Sequence, residues 1–110
     1  MKRVSLVLVM ALLFSSLAFA QPALAKFKIG VLAPAVTHGW VAAVAYHAEN
    51  RLKELGDEVE YNIQTSNNAE EMTAQLDDLM TWGADAIVAF PQWTGMEVPI
   101  QRAVDSGIIV

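Results

Sequence analysis

Two short apolar runs, each ended by a proline, restrict this chain more than any other feature. Phe27 to Ala33 is cut by Pro34, and Asp85 to Phe90 is cut by Pro91. Neither run alternates with polar residues, which suits strands buried on both faces of a parallel sheet. Parallel strands cannot be joined by a tight turn, so crossover elements must lie between and after them.

The intervening residues supply those elements. From Trp40 the apolar positions fall at Val44, Ala48, Leu52 and Leu55, a helical stripe opposed by Glu49, Asn50, Lys53 and Glu54, and Gly56 ends it. Glu58 to Gln64 alternates polar and apolar residues strictly, which predicts an edge strand with one wet face. Residues 65–68 read as a loop whose Asn68, followed by Glu70 and Glu71, caps a second helix carrying Met72, Leu76, Leu79 and Met80 inward until Gly83. After the second apolar run, Thr94 to Glu97 has capping-box spacing, and Pro99 fits only near a helix start. Ile100, Ala103 and Val104 are expected to face inward before Gly107, with residues 108–110 opening a fourth strand.

This alternation predicts an α/β fold, a three-layer αβα arrangement around a parallel sheet of order 2-1-3-4 with right-handed crossovers. The chain reverses direction between strands one and three, and a crevice forms over carboxyl ends at such a point. Its expected lining comes from Ala35 to Trp40 and Pro91 to Gly95, with Thr37, His38, Gly39, Trp40, Gln92, Trp93 and Thr94 as candidate ligand contacts. These residues offer hydrogen bonds and flat aromatic surface, the combination that suits a neutral sugar or polyol with its C–H face and hydroxyl rim. Trp40 fits plain core as readily as ligand stacking, and His38 fits a helix cap as readily as a contact. Trp93, between two breakers, reads as a ligand contact and as the more exposed indole of the pair. Trp82 reads as packing against the sheet, and His47 as a partly exposed filler.

Composition narrows the classes. The 110 residues contain no cysteine, so disulfides and cysteine-held metals are excluded. The hydrophobic share of 55% is inflated by the first twenty residues, where Lys2 and Arg3 precede an apolar run from Val4 to Phe14 and small residues ending at Ala18-Phe-Ala20. That order predicts a cleaved export signal at 1–20, with Ala23-Leu-Ala25 as an alternative end at 25 and residues 21–26 as a linker. Ser15 and Ser16 keep the run below the about 20 residues of a spanning helix. Without a cysteine for lipid attachment, the product is expected free in the periplasm or outside the cell. Loss of Lys2 and Arg3 would leave five basic against twelve acidic residues, a formal charge of −7, which argues against nucleic acid and anionic membranes as partners.

Enzyme chemistry finds no support. Neither central loop carries a G-x-G-x-x-G, a Walker lysine or a G-x-S-x-G elbow. His38 and His47 have no carboxylate at ligand spacing, so neither a metal nor a cofactor is expected. A secreted flavodoxin-like or hydrolytic enzyme would need one of those devices.

Lys28-Ile-Gly-Val, the loop ending at Trp40, Arg51 to Gly56, Ser66-Asn-Asn68, Gly83 to Val88 and Ala103 to Ile108 together resemble the amino-terminal lobe of type I periplasmic sugar-binding proteins, the ribose-binding class of ABC transporters. The resemblance runs over residues 27–110. It implies a non-enzymatic solute-binding component of a sugar or polyol uptake system whose partner is an inner-membrane ABC permease once a second lobe completes the clamp. It also implies that Thr37, Gly39 and Trp40 hold and stack the sugar. Trp93 stands about where the family often has an acid that grips hydroxyls, with Gln92 before it, which argues against ribose itself. Ile109 replaces a frequent proline. Family members have two lobes, whereas this chain stops inside the fourth strand, so a partial lobe, or a non-binding remnant, is the expectation. A sensor domain of the lactose-repressor kind shares the fold but would need a basic helix-turn-helix before the first strand, and residues 2–20 contain none.

Overall fold

The computed structural model describes residues 24–35 and 38–110. The expected export signal and the candidate Thr37 lie outside them. In chain order the elements are β1 (Phe27–Pro34), α1 (Gly39–Leu55), a 3-10 turn (Gly56–Glu58), β2 (Val59–Ser66), α2 (Ala69–Trp82), β3 (Ala86–Ala89) and α3 (Glu97–Asp105). The strands form one parallel sheet of order β2-β1-β3. Ile109 adds a parallel bridge to Ala86, on the side of β3 where the fourth strand is expected.

Alternation along the central strand divides the core in two. On one face Leu32 and Ile87 are buried with Met72, Leu76 and Leu79 of α2 and Ala103 of α3. On the other, Val31 and Val59 are buried with Leu52 of α1, joined by Ile29, Ala48, Leu55 and Ile63. Gly30 permits the closest approach, since a Cβ there would stand 2.6 Å from a Leu79 methyl.

Helix ends follow local chemistry. The Asn68 side chain accepts a hydrogen bond from the Glu71 N–H at 2.8 Å, and the Glu71 carboxylate accepts from the Asn67 N–H at 2.8 Å and its side-chain amide at 3.1 Å. Two backbone donors at the start of α2 and one side-chain amide are thereby satisfied. At its far end Gly83 N–H donates to Met80 and Ala84 N–H to Leu79, and Trp82 packs half-buried against the core as expected.

Four expectations need correction. β2 runs on through Thr65 and Ser66 rather than ending at Gln64, because β1 extends to Pro34 in register with Ser66 and the Ala35 N–H donates to the Ser66 carbonyl at 2.6 Å. β3 is not buried on both faces: Val88 is 57% exposed, because α1 packs across β1 and β2 and leaves that side of β3 open. Thr94 does not cap α3. Gly95 takes φ 93°, a left-handed turn that breaks the path between Thr94 and the helix, so Met96 becomes the N-cap and the Glu97 carboxylate reaches back to the Gly95 N–H at 2.9 Å. Val104 faces outward at 44% exposure, since α3 turns Ile100 and Ala103 to the core. Pro99 is the third residue of α3, where its missing N–H costs no helical bond.

Candidate functional site

The loops leaving β1 and β3 lie side by side because their strands do. The Phe90 N–H donates to the Leu32 carbonyl at 2.9 Å, which ties the exit of β3 to the carboxyl-terminal part of β1. Phe90 follows Val88 by two residues and so projects from the α1 face of the sheet. There it meets Trp40, at the start of α1, in an edge-to-face pair with centroids 5.3 Å apart and planes at 82°. The indole remains 69% exposed, so this contact props the ring without covering it.

Trp40 is therefore not a core residue, although it opens the apolar stripe of its helix. Its position at the first turn carries it past the sheet, on the flank of α1 that leans towards β3. His38 occupies the N-cap position with extended backbone, φ −147° and ψ 164°, but makes no side-chain capping bond, and the first turn of α1 holds no acid. The cap reading of His38 thus fails, and its ring stands exposed beside Gly39 and Trp40. Among the described residues no side chain caps the N–H groups of the first turn.

The second loop behaves differently from expectation at one residue. Gln92 and Thr94 are exposed, but Trp93 is half-buried and packs against the cluster that contains Met96, Met72 and Ile87. The expected order of exposure, Trp93 above Trp40, is reversed. Phe90, outside the candidates that the sequence offers, joins the site through Trp40. Its signal was its place as the last apolar residue before Pro91, one step beyond the strand and on the uncovered face.

Charge is nearly absent here. Across the described residues of both loops, from Ala35 to Trp40 and from Phe90 to Gly95, only His38 carries an ionisable side chain. Among the described residues no three His, Asp or Glu side chains gather to hold a metal ion, and no helix is long and apolar enough to cross a membrane. The arrangement can offer an exposed indole edge and face, amide and hydroxyl groups from Gln92 and Thr94, and helix-terminal N–H donors.

A family model described as the periplasmic binding protein domain matches residues 29–110. The chain belongs to the periplasmic binding protein family. Periplasmic binding proteins are non-enzymatic and bind small-molecule solutes, and the three parallel strands in order 2-1-3 with flanking helices form part of a lobe of that fold. The family is usually periplasmic. No curated protein matches the chain.

Proposed function

We propose that this periplasmic binding protein holds a neutral sugar or related polyol over the carboxyl ends of β1 and β3 and serves an ABC uptake system by presenting it to an inner-membrane permease. The exposed Trp40 ring, propped by Phe90 at the sheet's switch point, carries the reading: an indole held in water by its own fold suits the C–H face of a sugar. His38, Gly39, Gln92 and Thr94, with Thr37 from the same loop, are the proposed hydrogen-bonding partners for hydroxyls. Trp93 is assigned a supporting part, holding its loop to the core while its remaining exposed edge borders the crevice. The absence of acid from both loops fits a neutral ligand better than an amino acid or a cation.

The test is a titration of the full chain with pentoses, hexoses and polyols, followed by the Trp40 indole N–H resonance, with glycine and spermidine as charged controls. A weak saturable shift with one sugar, about millimolar because part of one lobe supplies only one wall of the clamp, lost when Trp40→Ala is titrated at other reporting resonances, is the expected result. Saturation by a charged control, or no response to any sugar, would overturn the reading. Export is part of the same proposal. Processing after Ala20 would leave Gln21 first, and the intact mass of the exported product checks it; a start at Lys26 would place the cut at the second site, and retention of Met1 would exclude cleavage.

A further inference from the structure

The opposite edge of the sheet carries a second set of unspent groups. The Ala35 N–H bonds to the Ser66 carbonyl, so the even-numbered residues of β2 turn their backbone groups to β1 and the odd-numbered ones turn theirs outward. At the far end this is confirmed by Gln75, whose side-chain amide donates to the Thr65 carbonyl at 2.9 Å. Val59, Tyr61 and Ile63 remain, with N–H and C=O groups that meet no neighbouring strand among the described residues. Alongside them, between β2 and α1, runs a groove of about 570 Å³ lined by Tyr46, Glu49, Tyr61, Ile63 and Thr65. Glu49 is already paired, since its carboxylate accepts from Lys53 at 2.7 Å, and that hydrogen bond raises the lysine above its ordinary range. The groove is therefore aromatic, with its one acid paired to a lysine at the exposed rim. Charge lies elsewhere on the same edge: Glu60 projects from the other face of β2 and Glu58 immediately precedes the strand, both exposed and neither in an ion pair among the described residues.

We propose that this edge of β2 is a docking site for an extended peptide segment of alternating basic and apolar residues, which adds to the sheet as a further strand. Its backbone pairs with Val59, Tyr61 and Ile63, its apolar side chains enter the Tyr46–Tyr61 groove, and its basic side chains meet Glu58 and Glu60 on the other face. Charge selects this occupant over a second copy of the chain. A like-charged edge repels its own image, and the whole chain carries a formal charge of −5. This edge lies on the far side of β1 from β3, so ligand binding at Trp40 is not required.

Fluorescence anisotropy of the full chain with a labelled eight-residue peptide of alternating lysine and valine tests the proposal. The comparison peptides group the four lysines before the four valines, or carry N-methyl groups on the valine amides or on the lysine amides. The alternating peptide is expected to bind saturably, the grouped peptide not to bind, and one of the two methylated peptides to fail while the other binds. Failure of the valine-methylated form indicates an antiparallel strand, and failure of the lysine-methylated form a parallel one. The variant Glu58→Lys with Glu60→Lys, checked for an unchanged circular dichroism spectrum, should bind about fivefold to tenfold more weakly. Absence of binding, equal binding of all four peptides, or indifference to the charge reversal would each overturn the proposal. Sedimentation showing dimers that Ile63→Lys dissolves would also overturn it, by assigning the edge to a second copy.

Discussion

An indole packed against a core contributes to folding in proportion to the apolar area it hides, whereas an exposed one contributes little. Trp93 is of the first kind and Trp40 of the second. Trp40→Ala removes a mostly exposed ring and its edge-to-face contact with Phe90, a loss of about 0.5–1.5 kcal/mol. Trp93→Ala strips a half-buried ring from the cluster around Met96 and should cost about 2–3 kcal/mol, below the range for a fully buried Trp. Urea unfolding of the two variants is expected to rank them in that order, while sugar titration ranks them in reverse. Equal destabilisation by both would mean that Trp40 is core after all. The two residues were hard to separate by sequence because each is an aromatic within a few positions of a strand-ending proline. Only the direction of the following chain decides which way the ring falls: α1 starts high on its sheet, whereas the Gly95 turn folds the second loop back over α2 and α3.

At the scale of elements, what was legible was whatever a residue decides by itself or with its near neighbours. Gly56 and Gly83 end their helices where expected, Asn68 caps α2 through Glu71, and the alternation of β2 marks an edge. Most of the failures involve partners distant in sequence, the Thr94 cap being the exception, lost to the left-handed turn at Gly95 beside it. The run Asp85 to Phe90 looks like the run Phe27 to Ala33, yet α1 covers one and not the other, and no residue within either run encodes which helix lies above it. Gly30 shows the same dependence in a testable form. In an unhindered strand Gly→Ala would stabilise by about 0.4–1 kcal/mol through the unfolded state. Here the new methyl meets a buried Leu79 side chain at 2.6 Å, and overpacking of about 1–3 kcal/mol prevails, so Gly30→Ala should lower the urea midpoint. Leu79→Ala alone should cost about 2–5 kcal/mol. The double variant should be less destabilised than the sum of the two, because the added methyl occupies space that Leu79 vacates. Simple additivity would place Leu79 out of reach of position 30.

For the whole molecule, the sheet distributes protection unevenly, and hydrogen exchange can read that distribution amide by amide. β1 is bonded on both sides and has a buried layer on each face, through Leu32 on one and Val31 on the other. Opening it exposes both cores, so its amides should exchange only with the largest unfolding units. β2 is bonded on one side only. Its Asn62, Gln64 and Ser66 amides, turned to β1, should exchange slowly, while those of Tyr61 and Ile63, turned outward, should exchange at rates set by solvent access. The slow and fast positions therefore alternate residue by residue within one strand, a pattern that local flexibility of the segment cannot produce because fraying would speed all of them together. Uniformly slow exchange along β2 would show a strand already seated on that edge, and uniformly fast exchange would contradict its register with β1. Adding the alternating lysine–valine peptide should slow Tyr61 and Ile63 selectively and leave Asn62 and Gln64 as they were, which separates occupation of the edge from a general gain in stability.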